Sequence, residues 1–204
     1  TRLGFERAGG ECVFNSEWDP FCQKTYQANF KEIPYGDITK IKESEIPNFD
    51  ILVAGFPCQP FSSIGKRQGF LHATQGTLFY DVLRIIKHKG NKAFLLENVQ
   101  GLVTHDKGNT FKTILRSLDE IGYKVFYKIL NASDYGVPQQ RKRIYIVGFK
   151  KDLFVKNDAE FNFPNGKNKK AYINDYLEKN IKGYSISKHL QDKYLFKKDD
   201  GRPV

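Results

Sequence analysis

Cysteine and histidine are scarce: the 204 residues hold three cysteines, Cys12, Cys22 and Cys58, with no CxxC spacing, and four scattered histidines. That excludes a disulfide framework and a zinc site, so no metal is expected and a reducing, cytoplasmic setting is. Long apolar runs are also missing, none approaching the roughly 18 residues of a spanning helix, and no signal peptide opens the chain. What is present is 40% hydrophobic and 27% charged residues, the balance of an ordinary globular protein long enough for one domain with a sizeable core.

The net charge of +10 is unevenly spread. Residues 1–140 carry 17 basic and 15 acidic side chains, whereas residues 141–204 carry 16 and 8. A regional basic excess is the electrostatic footprint of a polyanion-binding surface, and a solvated lysine-rich tail is the plainer alternative.

Short β-rich runs alternate with helical patterns, the signature of βαβ units and a parallel sheet. Strands are predicted near residues 11–16, 50–54, 93–96, 124–130 and 143–149, and helices near 20–29, 77–88 and 110–121. In the second helix Leu78, Val82, Ile85 and Ile86 share a face, with Asp81, Arg84 and Lys87 largely off it. A long polar loop, residues 62–76, holds Gly65, Lys66, Arg67, Gln68, Gly69 and Gly76, and loops of that length inside a compact domain are usually functional lids or disordered segments. Beyond about residue 152 apolar periodicity weakens. Residues 1–150 are therefore expected to form the α/β domain and residues 151–204 a linker and the start of another module.

Four polar features fall where strands end. The run Ile51-Leu52-Val53-Ala54-Gly55 drives into the turn Phe56-Pro57-Cys58-Gln59-Pro60, which delivers a thiol to the carboxyl edge of a strand, where open α/β sheets bind ligands. Prolines on both sides and polar Gln59 and Ser62 suit a solvent-facing turn better than a packing cysteine. Glu97 follows the apolar run Ala93-Phe94-Leu95-Leu96 to the same edge, and Arg141 and Arg143 flank the start of a strand two residues apart. One by one, a helix-capping Glu97 or an edge-strand charge patch explains these residues about as well. Together they meet a specific chemical need. A thiolate adding to C6 of cytosine gives C5 enamine character, so that C5 can attack an electrophilic methyl group. A carboxylic acid bonded to N3 and the exocyclic amine absorbs the developing charge, and an arginine holds the ring.

The three segments Gly55-Phe56-Pro57-Cys58-Gln59-Pro60-Phe61-Ser62, Glu97-Asn98-Val99 and Gln140-Arg141-Lys142-Arg143 resemble, in order, signature motifs of the C5-cytosine DNA methyltransferases. The resemblance covers nearly all of residues 1–150. It implies a doubly wound, Rossmann-like α/β fold that uses S-adenosylmethionine and releases S-adenosylhomocysteine. It further implies a bacterial restriction-modification enzyme that methylates C5 of a flipped cytosine in double-stranded DNA, associated with the nucleoid through that DNA.

The same resemblance implies Cys58 as nucleophile, Glu97 as the N3 and N4 contact, and Arg141 and Arg143 near the flipped base. Gln59, Ser62, Lys66 and Arg67 are implied to touch DNA from a lid-like loop. On the cofactor side it implies Glu17 on the ribose hydroxyls, Trp18 stacked near adenine, Asp37 and Ile38 in the next adenine-contacting motif, and Pro57 and Leu78 lining the pocket. Residues alone would make Trp18 a core aromatic and Asp37 a turn residue.

The sequence departs from the family pattern at both ends. Thr1-Arg2-Leu3-Gly4-Phe5-Glu6 resembles the helix after the family's glycine-rich turn, and the last twenty or so residues resemble the entrance to its recognition domain. The central strand, the glycine-rich turn and the recognition domain are expected from segments outside these residues or from a second chain. An RNA cytosine methyltransferase on the same scaffold, or a silent regulatory homologue, are the competing readings. The second predicts loss of Cys58 or Glu97, and both are present.

Overall fold

The computed structural model describes residues 1–57, 78–154, 161–166, 171–178 and 187–189. Helices α1 (Arg2–Arg7) and α2 (Pro20–Phe30) open the chain, followed by strand β1 (Ile51–Gly55), α3 (Leu78–Lys89), β2 (Ala93–Val99), α4 (Asn109–Glu120), β3 (Tyr123–Asn131) and β4 (Lys142–Lys150). The start of α2 is fixed chemically. The Asp19 carboxylate accepts from the amides of Phe21 and Cys22 at 2.8 and 2.9 Å, and Pro20 occupies the first turn, where no amide hydrogen is missed.

The strands form one mixed sheet in the order β1-β2-β4-β3. β1 and β2 are parallel, while β4 runs antiparallel to both β2 and β3. The expected parallel-rich sheet is met in three of these four strands. β1, β2 and β3 do run in one direction, linked by crossovers through α3 and α4, but β4 enters against them. The physical reason is its connection: residues 132–141 hold only one short 3₁₀ helix, Ala132–Tyr135, too little for the crossover that a parallel return needs. The strand predicted at residues 11–16 is likewise reduced to a single bridge, Ser16 to Tyr35. Its backbone pairs with Tyr35, whose amide donates to the Asn15 carbonyl at 3.0 Å and whose carbonyl accepts from the Glu17 amide at 2.8 Å.

One face of the sheet is covered by α3 and α4, whose Phe79, Val82, Ile86, Phe111, Ile114 and Leu118 pack with Phe94, Leu96, Ile144 and Ile146 in a single core. Burial of each such side chain contributes about 1.5–3 kcal/mol. The buried face of α3 is Phe79, Val82, Ile85 and Ile86, so Phe79 takes the place expected for Leu78, which is only half-buried. On the opposite face Phe126 and Phe149 meet Phe161, with ring centroids 5.8 and 5.4 Å away. At β1 that second face is bare: Ile51 and Val53 are 45% and 40% exposed, although the sequence reads as a strand buried on both sides.

Gly148 is required by packing. A Cβ there would sit 2.1 Å from the ring of Phe94, which is itself 1% exposed and lies against Tyr123. Gly148→Ala in the full-length protein is expected to destabilise by about 1–3 kcal/mol or more, read by denaturant titration. Gly4→Ala, where nothing lies within 4 Å, should be neutral or slightly stabilising.

Candidate active site

Parallel pairing of β1 with β2 aligns Gly55 with Glu97, so the two strands end side by side. The antiparallel β4 brings its beginning, not its end, to this edge. Tyr145 stands opposite Glu97 and Arg143 opposite Val99, and the period of two puts all four side chains on the face away from α3 and α4.

There Arg143 Nε lies 2.9 Å from Glu97 Oε1, with the side chains 21% and 34% exposed. A second guanidinium nitrogen, Nη1, donates to the Lys142 carbonyl at 2.8 Å, which holds the fork in place. The ion pair thus fixes one carboxylate oxygen. The other, Oε2, faces the end of β1, where a Cβ on Gly55 would lie 3.5 Å away. A carboxylate with one oxygen anchored and one turned toward a crevice is suited to binding a polar ring edge.

Asn98 is a residue whose role the sequence reading missed. It is 3% exposed, and its Nδ2 donates to the Phe56 carbonyl at 2.7 Å while its Oδ1 accepts from the Val99 amide at 2.8 Å. One buried amide therefore ties the residue before Pro57 to the residue after Glu97. The available signal was an amide side chain in an otherwise apolar strand, which must find partners once buried. Below it Phe56 meets Phe79 at a ring distance of 5.5 Å, so the residue before Pro57 and the residue after Leu78 share one contact in the core. Cys58, Gln59, Ser62, Lys66 and Arg67, with the rest of the expected lid, lie outside the described residues.

Arg141 is exposed, and its side chain has no hydrogen-bond or ion-pair partner among the described residues. Its backbone is well held: the amide donates to Asn131 Oδ1 at 2.9 Å, and the carbonyl accepts from Ala132 at 3.1 Å. The structure thus brings Glu97 and Arg143 into contact and leaves Arg141 reaching outward just before them.

A second cluster is built by the bridge between Ser16 and Tyr35. The Ser16 hydroxyl donates to the Gly36 carbonyl at 2.6 Å, and the ring of Phe14 stacks on Tyr35 at 4.8 Å. Glu17-Trp18 and Asp37-Ile38 therefore leave this bridge side by side. Trp18 is 72% exposed, so it is not the core aromatic that residues alone would make it. Glu17 Oε1 accepts from the Asp19 amide at 2.9 Å, which orients the carboxylate. Asp37 caps a short helical turn, Ile38–Lys40, through Oδ1, which accepts from the Thr39 hydroxyl at 2.8 Å and its amide at 3.0 Å. These bonds, the hydroxyl's first, hold its carboxyl below the usual range, while Oδ2 takes no hydrogen bond among the described residues and stands 3.9 Å from the exposed Lys40 ammonium.

Residues 1–202 match the family model of the C-5 cytosine-specific DNA methylases. The Type II methyltransferase M.BsuFI of Bacillus subtilis is 58% identical over 99% of this chain and 49% of its own length. M.MspI of Moraxella sp is 52% identical over 99% and 47%. The chain thus spans about half the length of these curated relatives. Among solved structures, a Spodoptera frugiperda DNMT2 mutant superposes with a TM-score of 0.67 over 88% of this chain and 56% of that one. At 21% identity that likeness speaks for the fold alone. The ordered motifs, the Rossmann-like α/β architecture and the family match agree: the chain belongs to the C-5 cytosine-specific DNA methylase family.

Proposed function

We propose that this chain is the catalytic portion, centred on residues 1–150, of a bacterial DNA cytosine-5 methyltransferase of the restriction-modification kind. The observation that carries the reading is the Glu97–Arg143 pair at the carboxyl edge of β1 and β2, immediately beside the strand that leads to Cys58. The Type II names of relatives at 58% and 52% identity favour DNA over RNA as the acceptor.

The chemistry follows from these residues. The Cys58 thiolate adds to C6 of the cytosine while Glu97 Oε2, with its partner oxygen on Arg143, contacts N3 and the exocyclic amine. C5 then forms its bond to the methyl carbon as the bond from that carbon to the donor's sulfonium sulfur breaks, its electron pair staying on sulfur. Loss of the C5 proton to a base and expulsion of the thiolate from C6 restore the aromatic ring. S-Adenosylmethionine supplies the electrophilic methyl group. The second cluster fits its adenosyl end: Glu17 for the ribose hydroxyls, the exposed face of Trp18 for stacking, and Asp37 Oδ2 to accept from the adenine amine, with Ile38, Pro57 and Leu78 as apolar lining. Arg141, Gln59, Ser62, Lys66 and Arg67 are assigned to the DNA side.

Incubating the full-length protein with S-adenosylmethionine and duplex DNA carrying 5-fluorocytosine tests the proposal. Fluorine at C5 cannot leave as a proton does, so an active enzyme should form a denaturation-resistant complex of one protein per target cytosine. A complex on 5-fluorocytidine RNA and none on DNA would move the function to the RNA reading, and none on either would make the chain a silent homologue.

A further inference from the structure

The side chain of Arg84 lies on the polar side of α3, outside both clusters, yet it reaches four acceptors on three segments. Nη2 donates to the carbonyls of Ile38 and Ile41 at 2.8 and 3.0 Å. Nη1 meets Glu43 Oε1 at 2.8 Å, and Nε meets Asp81 on its own helix at 2.9 Å. Five helical positions further on, the Lys89 ammonium donates to the carbonyl of buried Ile46. The stretch from Asp37 to Ile46 is therefore fastened to α3 by two cations acting largely on backbone carbonyls.

The turn Ile38–Lys40 needs such fastening. It is three residues long, with internal hydrogen bonds of 3.0 and 3.3 Å only, and turns of that kind do not persist unaided. The Asp37 carboxylate closes it from the front, and the Arg84 guanidinium closes it from behind. Only a planar fork of donors can serve two carbonyls and two carboxylates at once; a lysine ammonium cannot.

We infer that Arg84 is a positioning residue for nucleobase recognition: by fixing the turn behind Asp37 it aims Oδ2 at the exocyclic amine of adenine. The inference rests on the reading that Asp37 accepts from that amine. It gives α3 a double task, since the helix that begins at pocket-lining Leu78 also sets the opposite wall through Arg84.

The test measures, on the full-length protein, affinities for S-adenosylhomocysteine and for S-inosylhomocysteine, whose 6-oxo group replaces the amine. Arg84→Lys is expected to weaken the adenosyl ligand about tenfold and the inosyl ligand far less, the size of one charge-assisted hydrogen bond. KM for S-adenosylmethionine should rise in step, while kcat at saturation and DNA affinity stay within about twofold. Glu43→Gln, which turns one ion pair into a neutral hydrogen bond at the same volume, should move the same ratio by about threefold. Equal losses for both nucleosides, an unchanged ratio in both variants, or a fall in kcat at constant KM would overturn the role. Asp37→Ala is the control for the underlying reading. If the wild type does not discriminate between the ligands, or Asp37→Ala leaves the ratio unchanged, the adenine assignment fails and the role of Arg84 fails with it.

Discussion

Replacing Cys58 with serine in the full-length protein is expected to abolish methyl transfer, a loss of at least about four orders of magnitude, while DNA affinity stays near wild type. The argument is one of nucleophilicity. An ordinary thiol, with a pKa near 8.5, is already a few per cent thiolate at neutral pH, and neighbouring positive charge raises that fraction. A serine hydroxyl ionises far less and attacks C6 of an aromatic ring far more slowly. In the proposed mechanism that charge is assigned to Arg141, whose side chain reaches outward at the same sheet edge, and to Arg143. Tritiated methyl incorporation under single-turnover conditions reads the chemistry, and fluorescence anisotropy of labelled duplex reads the binding. Turnover within tenfold of wild type would remove Cys58 from the nucleophile role.

Glu97→Gln should lower the single-turnover rate by about 10²–10³, the cost of losing one preorganised charge-stabilising contact. The glutamine amide keeps the volume of the carboxyl group, and its oxygen can still accept from Arg143, but the charge that pairs with a guanidinium only 21% exposed is gone. Two effects are thus combined: the substrate loses a group able to hand a proton to N3, and the arginine keeps only a neutral hydrogen bond. Arg143→Gln should also slow the reaction, and the double substitution should cost clearly less than the two single losses combined, because both act on one unit. Strict additivity would mean that the pair is structural and that Glu97 acts without Arg143.

Much of this arrangement was legible in the sequence because apolar runs mark strands whatever their neighbours are. Ala93-Phe94-Leu95-Leu96 announces β2, and the amphipathic pattern of residues 110–121 announces α4, which spans Asn109–Glu120. Glu97 was legible near the end of β2 for the same reason: a strand's last residues belong to the sheet edge. Strand direction was less legible. Nothing within Ile144-Tyr145-Ile146-Val147 distinguishes a parallel from an antiparallel strand, and the only hint was a connection too short for a helix. Arg84 was legible only as a residue largely off the apolar face of α3, because its partners lie 43 and 46 residues away in a loop without periodicity. Asn98 stood in plain view beside Glu97, but its bond to Phe56 crosses from one strand to another and has no local signature. Residues 11–16 misled because a β-rich run becomes a strand only where partners run alongside it, and Tyr35 offers one bridge.

The placement of β4 between β2 and β3 sets a timetable for synthesis. A chain leaves the ribosome N-terminus first, so β2 and β3 are made before the strand that joins them. Until residues 142–150 emerge, β3 has no neighbour in this sheet and β2 has β1 alone. The last strand to arrive both closes the sheet and carries Arg143 to Glu97. A nascent chain stalled before that point therefore holds its glutamate without its arginine, and the catalytic edge cannot assemble ahead of the fold that supports it.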